Sequence, residues 1–249
     1  MTDLRNIPLD TPTLRDIDIT VELERRNRRA PDYEAESRAL VSLAREMAEK
    51  PAHLLQKLSE IALRLCRAGS TGVSLLERKN GRDTFRWGAL AGGFAGFPEH
   101  TMPRDASPSG TTLDRGLPQL MRQPGRFFHE LRKYPFIYEA LLIPFDYHNA
   151  PAGTVWVVSH DRERTFDHED ERIVKSLAVF AAAGWRLWQT VEEQERLTGG
   201  LFVANETLQT KLELERAENG AQEDLIERLQ VLEGEIKDFK AMLKKRRDR

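Results

Sequence analysis

The hydropathy patterns of the chain predict an α+β fold: an antiparallel sheet flanked by helices, followed by a long C-terminal coiled-coil helix. Three observations carry this expectation. Two stretches before residue 70 repeat apolar residues at helical spacing. Two pairs of strand-like runs follow, each joined by a turn signal. The tail then carries a heptad repeat.

Residues 1–33 contain Pro8, Pro12 and Pro31 and a charged stretch at 22–29, with no apolar period, and read as a mobile leader. Ala39, Leu40, Leu43, Ala44 and Met47 then mark one face of a first helix. Pro51 opens a second helix, where a missing N–H costs nothing. Its inner stripe is Leu54, Leu55, Leu58, Ile61, Ala62 and Leu65, and Gly69 is its stop. Residues 71–79 alternate, with Val73 and Leu75 on one face. Asn80-Gly81 is a hairpin turn, and residues 84–90 return with Phe85, Trp87 and Ala89 on one face.

Residues 91–135 are rich in Gly, Pro, Ser and Thr and too long to be an idle connection. They include a short helix at 110–114 and a short strand at 117–121. Two nearly continuous apolar runs, 139–145 and 153–159, flank a polar turn. Their continuity predicts central strands covered on both faces. Asp167 is a natural N-cap, and Glu169, Asp170 and Glu171 sit in the first turn, where the helix dipole favours negative charge. Ile173, Val174, Leu177, Phe180, Ala181, Leu187 and Val191 continue the inner stripe.

In the tail, Leu225, Leu229, Leu232, Ile236, Phe239 and Leu243 alternate spacings of 4 and 3, a coiled-coil seam with charged flanks. Gly199, Gly200, Gly220 and Gly234 weaken it by about 1 kcal/mol each relative to alanine. A polar helix of this kind cannot bury its seam alone and needs a second helix.

The 249 residues allow one good-sized domain plus an extension. With 38 Lys and Arg against 40 Asp and Glu, the net charge of −2 excludes a general electrostatic drive onto nucleic acid or anionic membrane. The cluster 244–247 is what a helix C-terminus attracts in any case. The lone Cys66 excludes an internal disulfide framework or a cysteine-based zinc site, and the expected setting is cytoplasmic. The N-terminus lacks a signal peptide's apolar stretch. The longest near-apolar window, 177–185, is far short of the ~20 residues of a membrane helix, so no membrane insertion is expected.

The segment Ala140-Leu-Leu-Ile-Pro-Phe145, a polar turn, Ala152-Gly-Thr-Val-Trp-Val-Val158, then Phe166-Asp-His-Glu-Asp170 resembles the GAF domain family. Pro103-Arg-Asp-Ala-Ser-Pro-Ser-Gly-Thr-Thr-Leu-Asp-Arg115 is similar to a loop of bacterial GAF sensor modules, often joined to histidine kinases. The resemblance makes 34–190 a GAF-like sensor domain and 191–249 a coiled-coil tail. It implies a sheet of the six-stranded type, a ligand pocket between sheet and crossing loops, and dimerisation through helices leaving the domain. No kinase phosphoacceptor helix or ATP-binding region follows in 191–249. Several relatives carry a cysteine within the Ser-Pro-x-Gly motif where this chain has Ser109, so thiol chemistry or covalent tetrapyrrole attachment is not expected there.

The candidate ligand residues are Arg104, Asp105, Ser107, Ser109, Thr111, Arg126 and His129, with Trp156 as the floor. The alternative for the Ser-Pro-Ser-Gly stretch is simple turn and cap chemistry. Aromatics from Trp87 to Trp156 line a pocket for a flat ligand or anchor the long loop. Ser109 as a nucleophile needs a positioned base, and no spacing to His100 or His129 identifies one, so no enzyme is expected. Cys66, without a resolving partner, argues against the methionine sulfoxide reductase activity of some family members. Haem needs one axial histidine, for which His100, His129 and His160 are available. A lone histidine is more often a surface or hydrogen-bonded residue, so the cofactor, haem or tetrapyrrole included, stays open. The expected function is a cytoplasmic sensory or regulatory module acting through a homodimeric coiled coil of the terminal helices. The alternative is a ligand-free scaffold whose tail recruits a histidine kinase or other signalling protein.

Overall fold

A computed structural model describes residues 12–79, 81–97, 100–147 and 150–247. The expected turn residue Asn80 and the middle of the second turn, His148 and Asn149, lie outside the described residues. The chain divides into two units, Met1–Thr190 and Val191–Arg249.

In chain order the elements are α1 (Leu14–Ile17), α2 (Glu22–Arg25), α3 (Tyr33–Glu49), α4 (Leu54–Leu65), β1 (Ser70–Lys79), β2 (Arg82–Gly92), β3 (Thr101–Pro103), α5 (Pro108–Arg115), β4 (Gln119–Arg122), β5 (Glu139–Tyr147), β6 (Ala150–Ser159) and α6 (His168–Arg247). The strands form one six-stranded sheet of order β3-β2-β1-β6-β5-β4, with every neighbouring pair antiparallel. Both outer hairpin strands therefore flank the central pair β1 and β6.

One face of the sheet carries the helices. Leu43, Leu54, Leu58, Ile61, Ile173, Val174 and Leu177 pack there on Val73, Leu75, Val155 and Val157. The other face is covered by the long loop region, with Phe94, Met102, Phe128, Leu131 and Ile137 on Trp87, Ala140, Leu142, Trp156 and Val158. Residues of β5 and β6 alternate between the two clusters, which is why these runs are apolar at nearly every position.

Local chemistry places most of the expected elements, with differences of detail at four places. The helix α4 is entered through a 3-10 turn, Pro51–His53, and ends at Leu65, ahead of Gly69. Arg67, at φ 46°, makes the left-handed turn instead. The short helix α5 begins two residues earlier than expected, because Ser107 Oγ accepts from Gly110 N at 3.0 Å and Pro108 fills the first turn. Leu117 is 64% exposed and precedes β4 rather than belonging to it. The face of Ala89 is reversed. A bulge opposite Val73 and Ser74 skips Gly88, so Trp87 points to the loop side while Ala89 joins the helix side.

The largest correction concerns the leader. Residues 13–32 are not loose but dock as a strap around β4, the edge of the sheet. Ile19 N donates to Leu120 O at 2.9 Å, Leu120 N donates to Thr20 Oγ1 at 3.0 Å, and Asp18 pairs with Met121. Ile17, fully buried, joins the loop-side cluster, and Leu23 joins the helix-side cluster. Arginines of the strap then meet buried carboxylates. A charged, proline-punctuated sequence reads as mobile because its partners lie more than a hundred residues away.

Arg172 and then Arg28 hydrogen-bond the Glu169 carboxylate and hold it below the ordinary range. A depressed carboxylate contributes stability that is complete above its unfolded value and is lost as pH falls through the lower folded value. Glu22, drawn down by Arg26 and Arg122 against its own desolvation, acts in the same sense. The melting temperature is therefore expected to fall with acid once the pH drops below about 4. Asp170, raised by burial despite Arg164, works in the opposite direction. A melting-temperature profile from neutral pH to about pH 3 tests this, and a profile that rises below about pH 4 would refute it.

In the second unit, residues 191–247 are helical through Gly199, Gly200, Gly220 and Gly234. Leu225, Leu229 and Leu232 of the expected seam are 59%, 53% and 51% exposed on the single chain. The side chains of Ile236, Phe239 and Leu243 lie outside the described residues. Among the described residues no helix is long and apolar enough to cross a membrane.

Candidate functional site

The loop side of the sheet holds a chamber. Its floor is built by β1, β2, β5 and β6, which present Ser74, Trp87, Leu142 and Trp156. Its roof is Phe94, Met102, Pro108, Pro124, Leu131 and Ile137 from the long loop region. The Trp156 indole lies across β1 at Gly72, where a Cβ would sit 2.3 Å from Trp156 Cζ2; the missing side chain makes room for the ring. Trp156 Nε1–H donates to Ser74 Oγ at 2.9 Å. Ser109 Oγ and Thr154 Oγ1 share a 2.8 Å hydrogen bond at another wall. Trp87 packs against Phe94, His100, Tyr134 and Trp156 with centroid separations of 4.9–5.8 Å.

The free space left inside is about 40 Å³. Small-molecule sites run to roughly 300 Å³ and above, so this space suits water rather than a ligand. A second, outer cleft of about 280 Å³ opens beside it, lined by Gln123, Arg126, Arg132, Tyr134 and Phe136. Leu131 and Ile137 line both spaces and stand between them. Gln123 holds φ 48°, a strained value for a residue with a side chain. Arg132 Nε donates to Gly125 O at 2.7 Å, which stiffens the cleft's rim.

His160 pins the roof to the sheet. Its Nδ1–H donates to Phe136 O at 2.7 Å, and its Nε2 shares a hydrogen bond with Ser70 Oγ, also at 2.7 Å. Ser70 Oγ in turn accepts from Phe94 N at 3.1 Å. The ring also stacks on Phe94 at 5.9 Å. Both nitrogens are thus engaged, and the bonds fix two roof segments at one end of β1 and β6. His100 is different: it packs against Trp87 and Tyr134, and Nε2 has no hydrogen-bond partner among the described residues. Burial pushes its pKa down, favouring the neutral ring. Burial also pushes the Tyr134 phenol up.

Of the sequence-derived candidates, Ser109 and Trp156 line the chamber and Arg126 lines the outer cleft. Arg104 is turned to Asp114, at 2.5 Å, while Asp105 is exposed. Ser107 is spent on the α5 cap. Thr111 is half-buried, and His129 is exposed at the start of a 3-10 turn. Ser109 has Thr154 as its hydroxyl partner, and no histidine or carboxylate hydrogen-bonds to it among the described residues. Cys66 is fully buried, and burial drives its thiol far above the usual range, leaving it un-ionised. Among the described residues no cluster of three or more His, Cys, Asp or Glu could hold a metal ion. Ser74, Thr154 and the Ser70–His160 pair escape sequence reasoning, because small polar residues inside apolar strands carry no local signal.

No family model and no curated protein matches the chain. Solved structures do. It is similar to the GAF domain of a phosphoenolpyruvate-protein phosphotransferase from Coxiella burnetii, at 14% identity and a TM-score of 0.56, over 66% of this chain and 99% of that one. It is also similar to the GAF domain of the Acinetobacter phosphoenolpyruvate-protein phosphotransferase, at 14% identity and a TM-score of 0.52, over 65% of this chain and 98% of that one. At such identity the likeness is one of architecture, and the globular unit of this chain has the GAF-like fold.

Proposed function

We propose that the chain is a cytoplasmic, non-enzymatic regulatory module of the GAF type. Its loop-side chamber receives a small molecule, and its C-terminal helix passes the response on as a homodimeric coiled coil. The observation supporting this is the chamber's construction: aromatic walls on a rigid sheet, a roof made of loops, and an outer cleft separated from the interior by Leu131 and Ile137 alone among the residues lining both. Movement of those two side chains would join the spaces, and a ligand that binds the joined form better shifts the population toward it. In the tail, the exposed Leu225, Leu229 and Leu232 argue for a second helix. A histidine kinase or other signalling protein is the expected recipient.

The filled interior favours a second reading, a ligand-free scaffold that recruits its partner through the tail. Thermal-shift screening of the whole chain with cyclic nucleotides, haem, tetrapyrroles and indole separates the two. Stabilisation by one compound, rising with concentration as binding to the folded state requires, supports the sensor. No shift with any of them, together with a persistent dimer in sedimentation, supports the scaffold. A monomer at micromolar concentration would remove the coiled coil from both.

A further inference from the structure

Three arginines of the strap, within four positions, reach three different buried carboxylates at the base of α6 and the start of β5. Arg26 holds Glu139 through both amino groups at 2.8 Å. Arg28 holds Glu169 at 2.6 Å. Arg29 holds Asp170 at 2.7 Å. The three carboxylates are essentially sealed from water, at 0%, 1% and 0% exposure.

Each carboxylate also has a second arginine, supplied by the body of the domain. Glu139 has Arg122 at 3.3 Å, Glu169 has Arg172 at 2.7 Å, and Asp170 has Arg164 at 2.7 Å. The doubling matters. A buried carboxylate stripped of its cation is strongly unfavourable. With a body arginine already in place, removal of the strap leaves none of the three unpaired. Arg29 Nε makes no hydrogen bond among the described residues and faces Asp167 Oδ1 at 4.0 Å, so the strap's contact there is a loose ion pair.

We propose that residues 13–32 are a releasable strap whose departure, made inexpensive by the three body arginines, frees the first turn of α6 and uncovers the main chain of β4 together. The two ends are tied by one peptide segment. Ile17 plugs the loop-side cluster and Ile19 pairs with Leu120, while Arg26, Arg28 and Arg29 grip the helix base. Strap release therefore links the loop side of the sheet to the start of the output helix, whether or not the chamber takes a ligand.

Hydrogen exchange of the full chain, read by mass spectrometry, tests this. Amides of 13–26 should exchange in a step separate from β1 and β6, faster by about a hundredfold, because the strap opens without the sheet. Arg29→Gln should speed strap exchange about tenfold by removing a strap contact. Arg164→Gln should slow it several-fold, although it also deletes an ion pair to Asp170, because Arg29 becomes the sole cation and release would strand the carboxylate. Opposite signs for two arginines on one carboxylate are the signature of a releasable element. Strap amides exchanging together with the sheet in the wild-type chain would overturn the proposal, and so would both variants loosening the strap. The wild-type comparison decides the matter on its own should either variant fail to fold.

Discussion

Trp156→Ala should lower the stability of the globular unit by about 3–5 kcal/mol, the usual cost of emptying a large aromatic from a packed site. Trp156 is 6% exposed, touches both Trp87 and Phe94, and satisfies Ser74 through its indole N–H. Its removal strands the Ser74 hydroxyl and leaves a void over Gly72 that a rigid sheet cannot close. Equilibrium denaturation of wild type and variant gives the difference. Added indole should restore part of it, because the vacated space matches the lost side chain. A loss below about 1 kcal/mol would mean that the loop roof collapses into the gap, and the chamber would then be soft rather than preformed.

Glu139→Gln is the second large effect, with an expected loss of about 3–5 kcal/mol. Glu139 accepts from both amino groups of Arg26, from Arg122, and from the backbone N–H of Phe166. A neutral amide removes the buried counter-charge that Arg26 and Arg122 share, and leaves them only the partly exposed Glu22, which both also contact. Arg26→Gln should cost clearly less, because Arg122 still faces the carboxylate. The double variant should be less destabilised than the sum of the singles, since the second change removes a charge that has already lost its buried partner and keeps only Glu22. Denaturation curves for the four proteins measure this coupling. Additive losses would show that the pair acts as two independent surface contacts.

The tail illustrates a different division of labour. The heptad of Leu225, Leu229 and Leu232 is plain in the letters, and these side chains stand exposed on the single helix. In the homodimer proposed above, a second copy covers them.

Periodicity and turn chemistry alone determined that this chain is α+β, where its two hairpins fall, that Asp167 opens a helix, and that the tail is one polar helix. Those features depend on neighbours within a few residues, and local physics is written locally. Tertiary structure decided the rest. The bulge at Gly88 turned Ala89 from Trp87's face to the opposite one, a switch that depends on pairing with β1. The edge strand β3 is three residues long and exists because Phe85 has Met102 across from it. The chamber joins Ser74, Ser109 and Trp156 from segments that only sheet pairing brings together. The strap reads as loose because the buried carboxylates that hold Arg26, Arg28 and Arg29, namely Glu139, Glu169 and Asp170, are remote in sequence, and the local pair Arg26–Glu22 does not by itself fix the segment. Charge pairs across more than a hundred residues leave no periodic trace, since the energy that selects them arises only once burial has removed the water.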